Sequence, residues 1–261
     1  MKALGIAATG MLAQQLNVEV ISNNIANMNT TGFKRQRAEF QDLLYQNMER
    51  MGTMSSDAGT IVPSGIQVGV GVKAGSVYRI TSQGSLLNTD NAYDIAVSGR
   101  GMFRVELPSG EDAYTRAGSF QLSPQGELVT SDGYRVQPGI TVPQEAVDVT
   151  INKQGEVAVK ISGQVQPQII GRLELAIFPN DAGLEAMGDN MFLETPASGA
   201  AVLGQPQTPG YGSIVQFFLE GANVNAVNEI TSLISAQRAY EMNSRVITTA
   251  DEMMSATSQL R

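Results

Sequence analysis

The sequence predicts an α+β protein in which N- and C-terminal helices pack as a coiled coil, with a central antiparallel all-β domain and an extended arm. Three observations carry this. Heptad steps run through both ends of the chain, period-two alternation with regular turn signals fills the middle, and residues 46–75 fit neither pattern. At 261 residues the chain can bury a substantial core, and its apolar content of 42% is that of a folded protein rather than a disordered one.

In the first segment Leu4, Ala8, Met11, Gln15, Val18, Ser22 and Ile25 alternate steps of four and three. This heptad pattern with two polar interruptions predicts a helix of about 25 residues. "MNTTG" ends it, because Gly32 tolerates left-handed backbone and the threonines favour non-helical conformations. Phe33 to Gln46 is ambiguous between helix and extended chain. At the far end Ala226, Ile230, Leu233, Gln237, Tyr240, Ser244, Ile247, Asp251 and Met254 repeat the same arithmetic. They predict a helix over 226–258, with Asn225 as its cap and Glu241 and Arg245 as a supporting pair. Neither helix has an apolar face wide enough to be stable alone. Each therefore needs a partner, the economical solution being that they pack on one another and leave their remaining faces for other chains.

Between them "YDIAV", "MFRVEL", "SFQL", "ELVT", "YRVQ", "VDVTI", "EVAVKI" and "RLELAIF" read as short strands, separated by the turn signals "PSGE", "SPQG", "SDG" and "NKQG". Such spacing marks antiparallel all-β structure. "TPASGAAVLGQPQTPGYGS" at 195–213 reads as a surface connection. The expected segments are therefore 1–45 for the N-terminal helical part, 46–75 for the arm, 76–218 for the β domain and 219–261 for the C-terminal helix.

Composition excludes more than it suggests. The chain has no cysteine and no histidine, so it lacks thiolate chemistry, Cys-type zinc sites, the usual general base and the commonest metal ligand. A formal net charge of −8 argues against nucleic-acid binding. No apolar run is long enough to span a bilayer. "MKALGIAATGMLAQQLN" resembles a weak secretory signal, but no clear cleavage site follows it. "GVGVKAG" lacks the spacing of a dinucleotide loop. Glu106, Glu111, Asp112, Glu127 and Asp132 are the only constellation that could support chemistry, a carboxylate-dependent attack on carbohydrate. They fall in or beside predicted hairpin turns, where solvated acids are ordinary. The twelve methionines, Met48, Met51, Met54, Met253 and Met254 among them, suit core filling or adaptable contact surface. Lys34, Arg35 and Arg37 form a basic cluster that fits a helix end or a solvated face. The residues thus point to a self-associating scaffold with no catalytic residue, metal or cofactor.

"SNNIANMNTTGFKRQRAEF" resembles the N-terminal signature of the bacterial flagellar rod and hook proteins, and "VNEITSLISAQRAYEMNSRVITTADEM" resembles their C-terminal signature. "VSGRGMFRVELPSGEDAYTRAGSFQLSPQGELVTSDGYRV" is similar to the β domain shared by that family, with Met102 where an aromatic residue is common. The length, the arm and "RVQPGITVP" look most like the members that build the distal rod, with proximal rod or hook-type subunits as the alternative within the family. The resemblance implies a subunit of a hollow helical filament that crosses the periplasm and transmits motor torque. Export would be unfolded, through the flagellar export apparatus, without a cleaved signal. The implied partners are further copies of the chain, proximal rod proteins, the hook protein, surrounding basal-body ring proteins and the export apparatus, with no nucleic acid and no membrane insertion. The residues expected at assembly contacts are Leu4, Met11, Val18, Asn23, Asn24, Ile25, Asn27, Gly32, Phe33, Ile230, Leu233, Gln237, Tyr240, Asn243 and Ile247. In this picture the amides Asn23, Asn24 and Asn27 fix helix register through directional hydrogen bonds, and the arm reaches neighbouring subunits and stiffens the tube.

Overall fold

A computed structural model describes residues 2–48, 65–163 and 166–259. The chain divides into two compact units. Met1–Ile25, Gln36–Tyr78 and Ala226–Arg261 form a helical unit, and Ala26–Arg35 with Arg79–Asn225 form a β unit.

In the helical unit α1 spans Lys2–Ala26 and α2 spans Ala226–Gln259, as the heptad steps predict. The buried faces, however, are not the ones those steps select. On α2 Glu229, Ala236 and Ala250 are buried and Asn243 half-buried, a seven-residue repeat lying one position before Ile230, Gln237, Ser244 and Asp251. On α1 the buried residues are Ala7, Ala13, Val20, Ile21 and Asn24, whereas Leu4, Met11, Val18 and Ile25 are half-buried and Gln15 and Ser22 exposed. The cause is side-chain size. Small residues let backbones approach, so alanines and glycines mark the close face even where larger apolar residues keep better heptad time. A Cβ placed on Gly10 would stand 2.9 Å from Asn243 Nδ2. With Asn24 meeting Glu229 near the other end, this contact sets α1 and α2 side by side and antiparallel.

The ambiguous stretch after α1 is extended. β1 (Gln36–Asp42) pairs with β4 (Val72–Arg79), and β2 (Tyr45–Asn47) lies antiparallel to β3 (Gln67–Gly69). Burial alternates along β1 because Gln36, Ala38 and Phe40 share one face, the period of a strand and not of a helix. Of the expected arm, residues 49–64 lie outside the described residues, together with Met51 and Met54.

The β unit contains β5 (Leu86–Asn88), β6 (Ile95–Ser98), β7 (Met102–Glu106), β8 (Asp112–Thr115), β9 (Gln121–Leu122), β10 (Leu128–Val129), β11 (Arg135–Val136) and β12 (Ala146–Ile151). It continues with β13 (Glu156–Ile161), β14 (Gln168–Arg172), β15 (Leu175–Ile177), β16 (Glu185–Gly188), β17 (Met191–Leu193), β18 (Val202–Gly204), β19 (Ser213–Gln216) and β20 (Phe218–Glu220). The largest sheet runs β16-β17-β8-β7-β11-β10-β9, with β15 pairing to both β7 and β18. β12, β13 and β14 form a meander, and β6 with β19 and β5 with β20 form two-stranded antiparallel pairs.

Inward residues of these strands make one main core of Ile95, Val97, Phe103, Val136, Val159 and Leu173 with their neighbours, in which Phe103 and Phe120 meet edge to face at 5.1 Å. A second cluster centres on Tyr114 and Phe178, 4.8 Å apart, and Met102 packs against it. The turn signals act as read. In "SPQG" Gly126 donates to the Ser123 carbonyl at 2.8 Å with φ +84°, and a Cβ there would strike the Val142 carbonyl at 2.3 Å. In "NKQG" the Asn152 side chain accepts from the backbone of Gln154 and Glu156. The stretch at 195–213 contains β18, a strand of three residues too short to alternate visibly.

Candidate functional site

The amide cluster of the N-terminal segment resolves into three different environments. Asn24, on the last turn of α1, is 1% exposed. Its Nδ2 donates to the Gln36 carbonyl at 2.8 Å and its Oδ1 accepts from the Gln36 N–H at 2.8 Å, so one side-chain amide pairs both backbone groups of Gln36 as a peptide unit would. The same Nδ2 donates at 3.2 Å to Oε2 of Glu229, itself buried in the first turn of α2. A carboxylate there also suits the positive end of the helix dipole. Asn23 faces outward, and Asn27 lies beyond the helix, where its carbonyl and Oδ1 accept from the backbone and hydroxyl of Thr30. Asn24 thus joins the two helices, and it does so within the chain.

In the β unit part of the N-terminal signature meets the segment that precedes the C-terminal one. Gly32, with φ +70°, donates to the Glu220 carbonyl at 2.7 Å, and a Cβ on it would stand 2.8 Å from the Ala117 nitrogen. That approach admits no other residue without a shift. Two positions on, Lys34 Nζ donates to Glu220 Oε1 at 2.7 Å and to the Ser82 carbonyl at 2.9 Å. Gly84 N–H donates to the same carboxylate oxygen, and Arg116 Nε donates to the other. Arg116 spends its remaining donors on the carbonyls of Val97, Gly99 and Gly101. Asn223 finishes the junction by accepting from Arg35 N–H and donating to the carbonyls of Ile80 and Ser82.

Lys34, Arg116 and Glu220 are all buried. Burial pushes the Glu220 carboxyl up, but the Arg116 charge and the hydrogen bonds from Lys34, Arg116 and Gly84 outweigh it and hold the group below the usual carboxylate range. Burial lowers Lys34, the bond to Glu220 only partly offsetting it. Such a network is strong when complete and costly when broken.

Of the residues expected at assembly contacts, Val18, Gln237 and Tyr240 line one shallow groove on the helical unit with Gln15 and Glu241. Leu4, Met11, Ile25, Leu233, Asn243 and Ile247 are half-buried, and Ile230 is exposed. Gly32 is buried and Phe33 half-buried in the β unit. The carboxylates considered for chemistry are occupied singly on hairpins: Glu106 accepts from Gln137, Glu127 pairs with Arg135 at 2.7 Å, and Asp112 with Arg104 at 3.3 Å. Among the described residues no group of acids is placed to hold a metal ion. Arg116, Glu220, Asn223 and Glu229 were not singled out from sequence. The signal for Glu220 was an acid inside the apolar strand "FFLE", with Lys34 as its counterpart in "GFKR".

Three family models match the chain: a flagella basal body rod protein model over residues 4–34, a flagellar hook protein FlgE/F/G D1 domain over 96–159, and a flagellar basal body rod FlgEFG protein C-terminal model over 215–260. The chain is 66% identical to the flagellar basal-body rod protein FlgG of Caulobacter vibrioides over the whole of both chains. It is 53% identical to that of Agrobacterium fabrum over 99% of each, and 35% identical to that of Bacillus subtilis over 100% of this chain and 99% of the relative.

Replacing Asn24 with leucine strips both backbone groups of Gln36 and the Glu229 carboxylate of a partner. The expected loss is about 2–4 kcal/mol in the helical unit, read as a lower midpoint for loss of helical circular dichroism; an unshifted midpoint would contradict this assignment. Glu220 gives a pH dependence. Because its folded value is depressed, its stabilisation is complete above the ordinary carboxyl value of 4.5 and is lost as pH falls through the lower folded value. Glu220→Gln should cost about 3–5 kcal/mol at neutral pH, by leaving two buried cations uncompensated, and should flatten the acid limb of urea-denaturation stability against pH.

Proposed function

From the premise that the chain belongs to the flagellar basal-body rod protein family, we propose that it polymerises with copies of itself into a hollow helical tube, a drive shaft that carries motor torque to the hook. The chain is a structural subunit of the distal rod and not an enzyme. The observation that carries the polymer reading is the distribution of apolar side chains on the helical unit. Small and polar groups make up most of the buried residues of α1 and α2, with Val20 and Ile21 beside them, while Leu12, Val227, Met242 and Met253 are each at least 60% exposed. A helix pair that turns its larger apolar residues outward is built to be completed by other chains.

In this reading α1 and α2 pack as a coiled coil inside the tube wall, and Leu4, Met11, Val18, Ile25, Ile230, Leu233, Tyr240 and Ile247 complete their burial between subunits. Asn23, Gln237 and Asn243 contribute directional contacts there, while Asn24, Asn27, Gly32 and Phe33 act by fixing the chain that presents them. The subunit crosses the periplasm as part of the rod, reaches the growing tip through the flagellar export apparatus, and meets proximal rod proteins, the hook protein and the surrounding rings. The arm at 46–75 reaches neighbouring subunits and stiffens the tube, supported by the exposed Leu44 and Tyr45 just before it and Met48 and Ile66 within it.

Amide hydrogen exchange on dilute and assembled protein tests the central claim. Residues 2–26 and 226–259 should gain protection on assembly while β7, β13 and β15 keep the protection they already have. Helices equally protected in the dilute chain would make the protein self-contained and defeat the polymer reading. For the arm, deletion of 50–65 should yield bent or fragile rods in electron micrographs; straight rods of normal length would remove its stiffening role.

A further inference from the structure

The β unit holds a cleft of about 330 Å3 whose walls join apolar and cationic side chains. Met102, Ala176, Leu184 and Phe192 supply the apolar part. Lys34, Arg79, Arg100 and Arg116 supply positive charge, and Asp181 is the one acid in the lining. Three of the cations are committed elsewhere: Lys34 and Arg116 bind Glu220, and Arg100 lies 3.6 Å from Asp181. Arg79 is different. Its guanidinium lies 4.9 Å over the Phe192 ring and gives one donor to the Leu184 carbonyl at 2.9 Å, and among the described residues no carboxylate lies within ion-pair reach.

A half-buried arginine stacked on an aromatic ring, with most of its five donors uncommitted, is shaped to receive a carboxylate in a forked pair. The apolar walls add a requirement, since the group that enters must carry hydrocarbon beside its charge. The chain supplies its own candidate. Its formal net charge is −8, so a second copy presents a mainly acidic surface to this excess of positive charge. Acids stand exposed beside an exposed apolar residue where, for example, Asp251 and Glu252 precede Met253. We propose that the Arg79–Phe192 cleft is a carboxylate receptor through which the β unit of one copy grips a second copy, a contact separate from those of the helices. This rests on the reading that the chain polymerises.

The absence of cysteine makes the test clean. Thr81, exposed at the rim of the cleft, is replaced as Thr81→Cys in the full chain and coupled to a benzophenone maleimide. Irradiation under assembling conditions should give a covalent dimer, absent when dilute, with the crosslinked peptide mapping to an acidic segment of the second copy. Arg79→Gln in the same background should reduce the dimer about tenfold, and high salt should reduce it similarly. Arg79→Glu should abolish it while Thr81→Cys alone still sediments as polymer, which shows that the probe itself does no harm. A dimer unchanged by Arg79→Gln, or only adducts within one chain, in protein that assembles normally would overturn the receptor and leave the polymer reading intact. Failure of the unmodified chain to assemble would overturn both.

Discussion

The buried carboxylate of Glu220 is the constraint on which the β unit's junction depends. It sits between Lys34 and Arg116, and the first of these lies 186 residues away in sequence. Neither end of the chain can therefore complete this junction alone. The strand that leads toward α2 supplies the acid, the segment that leaves α1 supplies one base, and the residue just after β8 supplies the other. Because a buried charge without its partner is far costlier than an unpaired surface charge, the three groups act as one part. They fix the points where the chain passes into and out of the β unit. Gly32 makes the same approach possible sterically, and Asn223 satisfies neighbouring backbone groups, so both backbone groups of Arg35 and Ile80 and the Ser82 carbonyl are paired.

A comparable logic governs the helical unit with weaker groups. Asn24 replaces a backbone neighbour for Gln36 and reaches Glu229, so the departure of β1 from α1 and the start of α2 are set by one amide. Farther along the pair, Gly10 stands against Asn243, and Ala13, Ala236 and Ala250 are buried. Burying leucines along this face would stabilise the isolated pair more, but apolar contacts are non-directional and tolerate sliding. A polar group with one satisfied partner does not. The helices are thus registered by hydrogen bonds while their hydrophobic surface stays available.

The sequence made the large elements plain because both helices are long and strongly periodic, and α1 and α2 begin and end within a residue or two of expectation. β13 was readable to the residue, since Val157 and Val159 alternate with outward groups between firm turn signals. β8, β18 and β20 were not. Each is four residues or fewer, and three of the four residues of β8 are buried, which erases alternation. The helix faces were misjudged because heptad reading favours large apolar residues, whereas close approach favours small ones. The buried junction was legible only by half. Lys34 was visible in a basic cluster, but its pairing with Glu220 is a long-range contact that no local period encodes.

The two kinds of contact lead to a consequence about where specificity resides. Groups that must find one partner, such as Glu220 and Asn24, are buried inside a single chain and satisfied there. Groups that need only apolar cover, such as Leu12, Val227 and Met253, are left outside. A subunit of the proposed polymer would benefit from that order. If the groups that fix the fold itself, Glu220 and Asn24 among them, lay at the boundary between copies, every addition would have to solve their hydrogen-bonding problem before gaining any burial. With shape and register already set within each chain, a new copy meets a defined surface, and burial of exposed apolar area supplies the attraction at roughly 25 cal/mol per Å2.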